Sequence, residues 1–247
     1  MNSYRKWIIT CLVGIFSWPG FCHVSAQWKV GFTGGWTHNS ITTETGYFYD
    51  LRYNPDGGMS FSVPVQYHFN SWLAVGIDVA YMQKNYKKER SGFYHALGED
   101  ISGHYLDLPV YAHFSFGGER LWGFLNAGMY LGAWLSSHRK GTTFVWMPTG
   151  MDNDGAVTDI SDIYYLWSYN EKYVFDTRRD NRFDAGALAG VGISWQLFPH
   201  IEMLAEARYY YALTDQQKRY MIALVPRYHN TLTIQAGVLF TLGKNNK

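Results

Sequence analysis

The chain is short of cysteine, of net charge and of long apolar runs, and each shortage excludes something. Only 2 of its 247 residues are cysteine. Both, Cys11 and Cys22, fall before residue 27, so the rest of the chain has no disulfide framework and no thiol chemistry. A chain exported without cysteine holds its fold by burial and hydrogen bonding, unlike a disulfide-stapled secreted domain. The formal net charge is +1, which gives no global field for nucleic acid. Zinc-ligand spacing, a phosphate-cradling glycine loop and a basic stripe are all missing. The uncharged stretch 121–135, LWGFLNAGMYLGAWL, falls short of the roughly 20 apolar residues that a spanning helix needs.

The first residues read as a targeting segment. Arg5 and Lys6 form a basic start, residues 7–18 an apolar run, and Val24-Ser25-Ala26 a small-residue cleavage signal before Gln27. The pattern predicts a signal peptide over 1–26 and a single domain over 27–247. Pro19 and Gly20 break the run, which argues against a membrane anchor.

What the chain does have is aromatic side chains, at 18%, and 25 glycines, a pairing suited to sheets with tight turns. The stretch 105–116, YLDLPVYAHFSF, sets Leu106, Leu108, Val110, Ala112, Phe114 and Phe116 on one side of an extended chain and Asp107 and His113 on the other. Eight segments alternate in this way, at 28–37, 59–69, 73–82, 105–116, 125–133, 183–196, 201–211 and 231–242. The links alternate as well. NS, GGER and PH are tight turns, whereas 39–57, 87–102, 136–181 and 214–228 are long and polar.

Charge decides what the apolar series faces. It contains no Asp, Glu, Lys or Arg in any of the eight segments. The opposing series carries Lys29, Asp78, Asp107, Asp184, Glu202, Glu206 and Arg208, with Gln66, His68, His113, Asn126, Gln196 and Gln235. A soluble, lipocalin-like binding barrel would wear a charged skin around an apolar cavity. An uncharged outer face would be one exposed patch in water, but lipid requires it. The expected fold class is therefore all-β: an eight-stranded antiparallel up-and-down transmembrane β-barrel with short periplasmic turns and long extracellular loops, in the cell outer membrane. Trp28, Phe69, Trp72, Phe116, Trp122, Trp195 and Phe198 are expected in one aromatic girdle, and Trp36, Tyr81, Trp134, Tyr209 and Tyr211 in the other.

Three stretches carry a resemblance: YLDLPVYAHFSF, then GFLNAGMYLGAWL, and the closing IQAGVLFTLG. Together they resemble the PorT-like outer-membrane β-barrel family of Gram-negative envelopes, over about residues 27–247. The resemblance implies an eight-stranded barrel, no catalytic residues and, in the family's best-known member, a part in protein secretion across the outer membrane.

The candidate chemistry is sparse. A barrel of eight strands is just wide enough for its own side chains to fill. Glu202, Glu206 and Arg208 share one inward series, and Asp78, Asp107 and Asp184 are placed to join them as a paired polar plug, with a cation site as the alternative. His38 and Ser40 suggest a base beside a hydroxyl, as in an outer-membrane lipid A deacylase, but the pattern around them is missing. Residues 152–155, DNDG, with Asp159 and Asp162, read as an Asp-Gly turn in preference to a calcium loop. The aromatic stretch 163–175 reads as a hairpin extending the wall outward. No catalytic, cofactor or metal residue is expected. The expected partners are outer-membrane lipids and secretion or envelope-assembly proteins, around a monomeric, non-enzymatic barrel.

Overall fold

The computed structural model describes residues 27–43, 50–146, 164–218 and 226–242. The signal-peptide segment 1–26 and the DNDG stretch lie outside the described residues. Ten strands follow in order: β1 (Gln27–Thr42), β2 (Leu51–His68), β3 (Leu73–Gln83), β4 (Tyr86–Arg90), β5 (Gly98–Gly117), β6 (Leu121–Trp146), β7 (Tyr164–Lys172), β8 (Phe183–Phe198), β9 (Ile201–Ala212) and β10 (Tyr228–Leu242). The alternating segments are β1, β2, β3, β5, β6, β8, β9 and β10. Each pairs antiparallel with the next along that series. β10 then returns to β1, from Trp28↔Leu242 to Thr42↔Tyr228, so the pairings close on themselves and leave no free edge in the ring.

β4 and β7 are additional to the expected eight. β3 stops at Gln83, while its neighbours β2 and β5 run further. The chain steps aside at Lys84-Asn85 and resumes as β4 in the same slot, pairing Tyr86 with both Pro55 of β2 and Ile101 of β5. β4 is thus the upper half of a broken strand. β7 pairs the outer half of β6, from His138↔Lys172 to Trp146↔Tyr164, and so forms the wall-extending hairpin expected from the aromatics there.

Three links are tight, as expected. In the first, Asn70 Oδ1 accepts from the backbone N–H of Trp72 (3.0 Å) and of Leu73 (2.7 Å), an Asx-type turn. In the second, Gly117 holds φ at +130°, which side chains other than glycine's rarely tolerate.

Burial follows the period of two. On β3, Ala74, Asp78 and Ala80 are buried, while Val75, Ile77 and Val79 on the alternate positions are 43–51% exposed. The outward face is the uncharged series. Trp28, Trp72, Trp195 and Phe198 lie exposed toward the short-turn end, and Trp36, Tyr209 and Tyr211 toward the other, which agrees with two girdles. Two expected members are corrected. Trp134 is buried, and Trp122 faces Lys29, whose ammonium lies 5.5 Å from its ring. Both occupy the inward parity of β6, so their aromatic character serves the interior.

The outward face makes a stability prediction. Val110, in the middle of β5, pairs with Ile77 and Met129 and is exposed. If lipid covers it, Val110→Lys lowers folding stability in vesicles by about 2–4 kcal/mol, and Phe116→Lys near the turn end by about 1 kcal/mol or less. Denaturant titration followed by tryptophan fluorescence measures both. A neutral Val110→Lys would mean that water covers this face.

Candidate functional site

The inward side chains sort into three tiers of charge, each neutralised at close range. At the short-turn end, Lys29 Nζ of β1 sits 2.6 Å from Glu202 Oε2 of β9. In the middle, Arg208 reaches Asp78 Oδ2 at 2.6 Å and holds Glu206 with two parallel bonds, Nε to Oε1 at 2.8 Å and Nη2 to Oε2 at 2.9 Å. Asn126 (2.8 Å) and Gln235 (2.9 Å) donate to the same carboxylate. Tyr111 donates to Asp78 Oδ1 at 2.8 Å. Gly76 leaves room for that phenol: a Cβ there would lie 2.4 Å from the ring.

The third tier, toward the loop end, is built on Lys84. Its ammonium is fully buried, 2.6 Å from Asp184 Oδ2 and 2.9 Å from Asp107 Oδ2. The faces of Tyr105 and Tyr130 lie 4.6 and 5.0 Å from it, close enough for cation–π attraction. Asp78 therefore joins Glu206 and Arg208 as expected. Asp107 and Asp184 do not join them, and Glu202 turns to Lys29. A cavity of only about 10 Å³ remains among the mid-level side chains, about the space of a single water.

From the middle tier a hydrogen-bond relay runs to the short-turn mouth. Glu206, held ionised by Arg208, only accepts, so the Asn126 amide nitrogen faces it. The Asn126 carbonyl then faces His113 Nδ1 at 2.7 Å, which places the ring proton on Nδ1. Nε2 is left to accept from Ser115 Oγ at 3.0 Å. A base beside a hydroxyl is the start of a nucleophile. The sheet supplies no oxyanion donors beside it, because Ser115 N is committed to Trp72 O at 2.8 Å and β5 is paired on both edges. The relay orients His113 and holds no substrate geometry.

His38 and Ser40 form no such pair. The His38 ring stacks on Trp36 at 5.4 Å, and Ser40 Oγ donates to Asn230 O at 3.2 Å. Among the described residues no cluster of three or more His, Cys, Asp or Glu is placed to hold a metal.

Above the third tier an aromatic stack closes the bore. Tyr105 lies parallel to Trp134 (6.0 Å, 4°), which stacks on Tyr173 (5.5 Å, 18°) and meets Phe175 edge-on at 4.7 Å. Gln216 donates to Tyr105 OH at 3.1 Å. Beyond the stack opens a chamber of about 200 Å³, lined in part by Tyr86, Lys88, Glu99, Arg139, Arg179 and Arg227. Burial, and next the Asp180 carboxylate, push the Tyr173 phenol up to about 12. Burial holds Lys88 below its ordinary value. The Arg227, Arg90 and Arg139 cations add to that, and Glu99 pulls the other way.

The family model for the outer membrane protein beta-barrel domain matches residues 23–217. The chain belongs to this family. Membership in this β-barrel family indicates the cell outer membrane. No curated protein matches the chain. Among solved structures, Neisserial surface protein A aligns at 14% identity over 89% of this chain and 100% of its own, with a TM-score of 0.44. Outer membrane protein OprG from Pseudomonas aeruginosa aligns at 11% identity over 87% of this chain and 96% of its own, at 0.46. The outer membrane protease OmpT from Escherichia coli aligns at 9% identity over 88% and 96%, at 0.44. At these scores the likenesses carry no argument about function.

Sequence reading missed Lys84, the ammonium that pairs Asp107 and Asp184 in the third tier of this barrel protein. The signal was present: Ala74, Gly76, Asp78, Ala80 and Met82 continue by twos to Lys84. Removing it isolates two buried carboxylates. Lys84→Met lowers stability by about 3–5 kcal/mol, read as the shift of the urea midpoint in vesicles. The triple variant K84M/D107N/D184N recovers most of that loss. An unchanged midpoint in the single variant would mean that water reaches Asp107 and Asp184.

Proposed function

We propose that the protein is a non-enzymatic, eight-stranded outer-membrane barrel that does not conduct solutes, a structural or assembly component of the envelope. On this reading residues 1–26 are a removed signal peptide, the short turns face the periplasm, and β4 and the β6–β7 hairpin stand outside the cell. The observation that carries it is the interior. Every inward charge of the three tiers has a partner within 2.9 Å, beneath an outward face without charge. Such an arrangement crosses lipid and closes its own bore. The resemblance to the PorT-like family supports a link to secretion, with secretion or assembly proteins as partners and the loop end as the contact surface.

A hydrolase is the other reading that the fold class permits. The separation of His38 from Ser40 and the committed amide at Ser115 weigh against it.

Two measurements test the proposal. In planar bilayers the purified protein leaves the conductance at baseline, and steady open-channel steps would overturn the closed bore. Deleting the gene is expected to raise exported proteins in the periplasm at the expense of the medium. Identical proteomes with and without the gene would remove the link to secretion.

A further inference from the structure

The closed ring has no free edge, but the wall above it does. Among the described residues β7 pairs with β6 alone. Tyr173 N donates to Ser137 O at 2.9 Å, which continues the β6–β7 register by one residue. Main-chain groups alternate in direction along a strand, so Glu171, Tyr169 and Trp167 also turn theirs toward β6. Lys172, Asn170, Ser168 and Leu166 turn theirs the other way, where they meet no main-chain partner among the described residues. All four residues are exposed. Proteins blunt such an edge with proline, a bulge or charge. Here the register runs without a shift from His138↔Lys172 to Trp146↔Tyr164. β7 has no proline, and residues 164–170, YYLWSYN, carry no charge. The edge is a row of unspent donors and acceptors at strand spacing, and the group that matches it is the main chain of another strand.

The outer face of the hairpin narrows what that strand carries. Arg139 pairs with Glu99 and Glu171 on the chamber side, so the alternate positions face away from the chamber. At its lower end that outer face holds Lys172 and Lys140, both exposed and in no ion pair among the described residues. Asp100, across from Lys140 on β5, lies 4.0 Å from Lys87 instead. At its upper end the face holds Leu166 and Phe144, opposite each other in the register and 50% and 37% exposed. A strand added antiparallel to β7 runs from the level of Lys172 up to the level of Leu166. An acid at its start meets the Lys172 ammonium, and a large apolar side chain near its end covers Leu166.

We propose that the free edge of β7 binds an extended segment of another polypeptide by antiparallel strand addition, with an acidic residue opposite Lys172 and a large apolar residue opposite Leu166. The inference deepens the reading of the loop end as the contact surface and rests on it for access from outside the cell.

The test is titration of the purified full chain in detergent micelles against a labelled, end-capped peptide, Glu-Thr-Thr-Val-Thr-Val-Phe-Thr, read by fluorescence anisotropy. Its Glu falls opposite Lys172 and its Phe opposite Leu166. Two N-methylated forms separate a main-chain ladder from side-chain adhesion. Methyl groups on the third, fifth and seventh residues block the N–H groups that face β7, and this form is expected to lose binding. On the second, fourth and sixth residues they lie along the far edge, and this form is expected to keep it. Lys172→Glu weakens the unmethylated peptide by roughly five- to tenfold and turns the preference toward a counterpart that starts with Lys. Heat-modifiable migration shows that the variant keeps its ring. The two methylated forms test the unaltered protein if it does not. Absence of binding, or the same result with both methylated forms, overturns the proposal. Equal binding of the Glu and Lys peptides overturns the acidic assignment. Self-association of the chain that the peptide does not displace assigns the edge to a second copy and overturns the proposal as well. Micelle binding is independent of cellular location, so failure here leaves the envelope reading standing, and loss of the envelope reading leaves the binding result intact.

Discussion

A strand in hydrocarbon has no water to bond, so each N–H and C=O must find its partner within the protein. That requirement shapes the architecture from β1 to β10. It is met only because the last strand returns to the first, over the register from Trp28↔Leu242 to Thr42↔Tyr228. Closure then fixes the bore, because so small a ring leaves room for side chains and little else. A narrow bore turns every inward polar residue into a buried one. Burial in turn demands that charges come in matched sets. The Lys29, Arg208 and Lys84 tiers are the consequence of a closed ring of this size, level by level.

The same logic separates two regions of the chain. Along the alternating segments, one face answers to lipid and the other to the packed bore. Above them the strands continue as walls with no lipid-type alternation, and their inner surface is free to be polar and open. The break at Lys84-Asn85 marks the transition. Below it β3 carries small inward residues, Ala74, Gly76 and Ala80. Above it β4 carries Tyr86 and Lys88, which border the chamber. Structural demands ease where the chamber begins, and there specificity has room to arise.

The lower region was legible in the sequence because a period of two and the absence of charge are both local signals. Seven of the eight alternating segments lie within a strand, and the second, 59–69, overruns the end of β2 by one residue, Phe69. The inward assignments of Asp78, Asp107, Asp184, Glu202, Glu206 and Arg208 all hold. The upper region was not legible, for physical reasons. Residues 54–58, Asn-Pro-Asp-Gly-Gly, have the chemistry of a turn. They are nevertheless strand, because Gly58 and Gly57 pair with Thr37 and His38 while Pro55 faces Tyr86. Tertiary pairing overrides local preference there. The grouping of charges was also hidden, since which acid meets which base depends on level and on opposite walls. Trp134 was assigned by its position near a strand end, although its parity on β6 already pointed inward.

The interior ion pairs have a further consequence, for the order in which the molecule is assembled. Their partners are far apart along the chain: 173 positions separate Lys29 from Glu202, 130 separate Asp78 from Arg208, and 100 separate Lys84 from Asp184. Lys84 meets Asp107 within the first five strands, but Lys29 and Asp78 meet their counter-ions only with β9, and Lys84 its second carboxylate only with β8. The N-terminal hairpins have no stable resting place in hydrocarbon on their own. The set of pairs is complete only when β8 and β9 have joined the ring. A chain interrupted before β9 does not yield a smaller barrel. It leaves Lys29 and Asp78 without the counter-ions that burial demands.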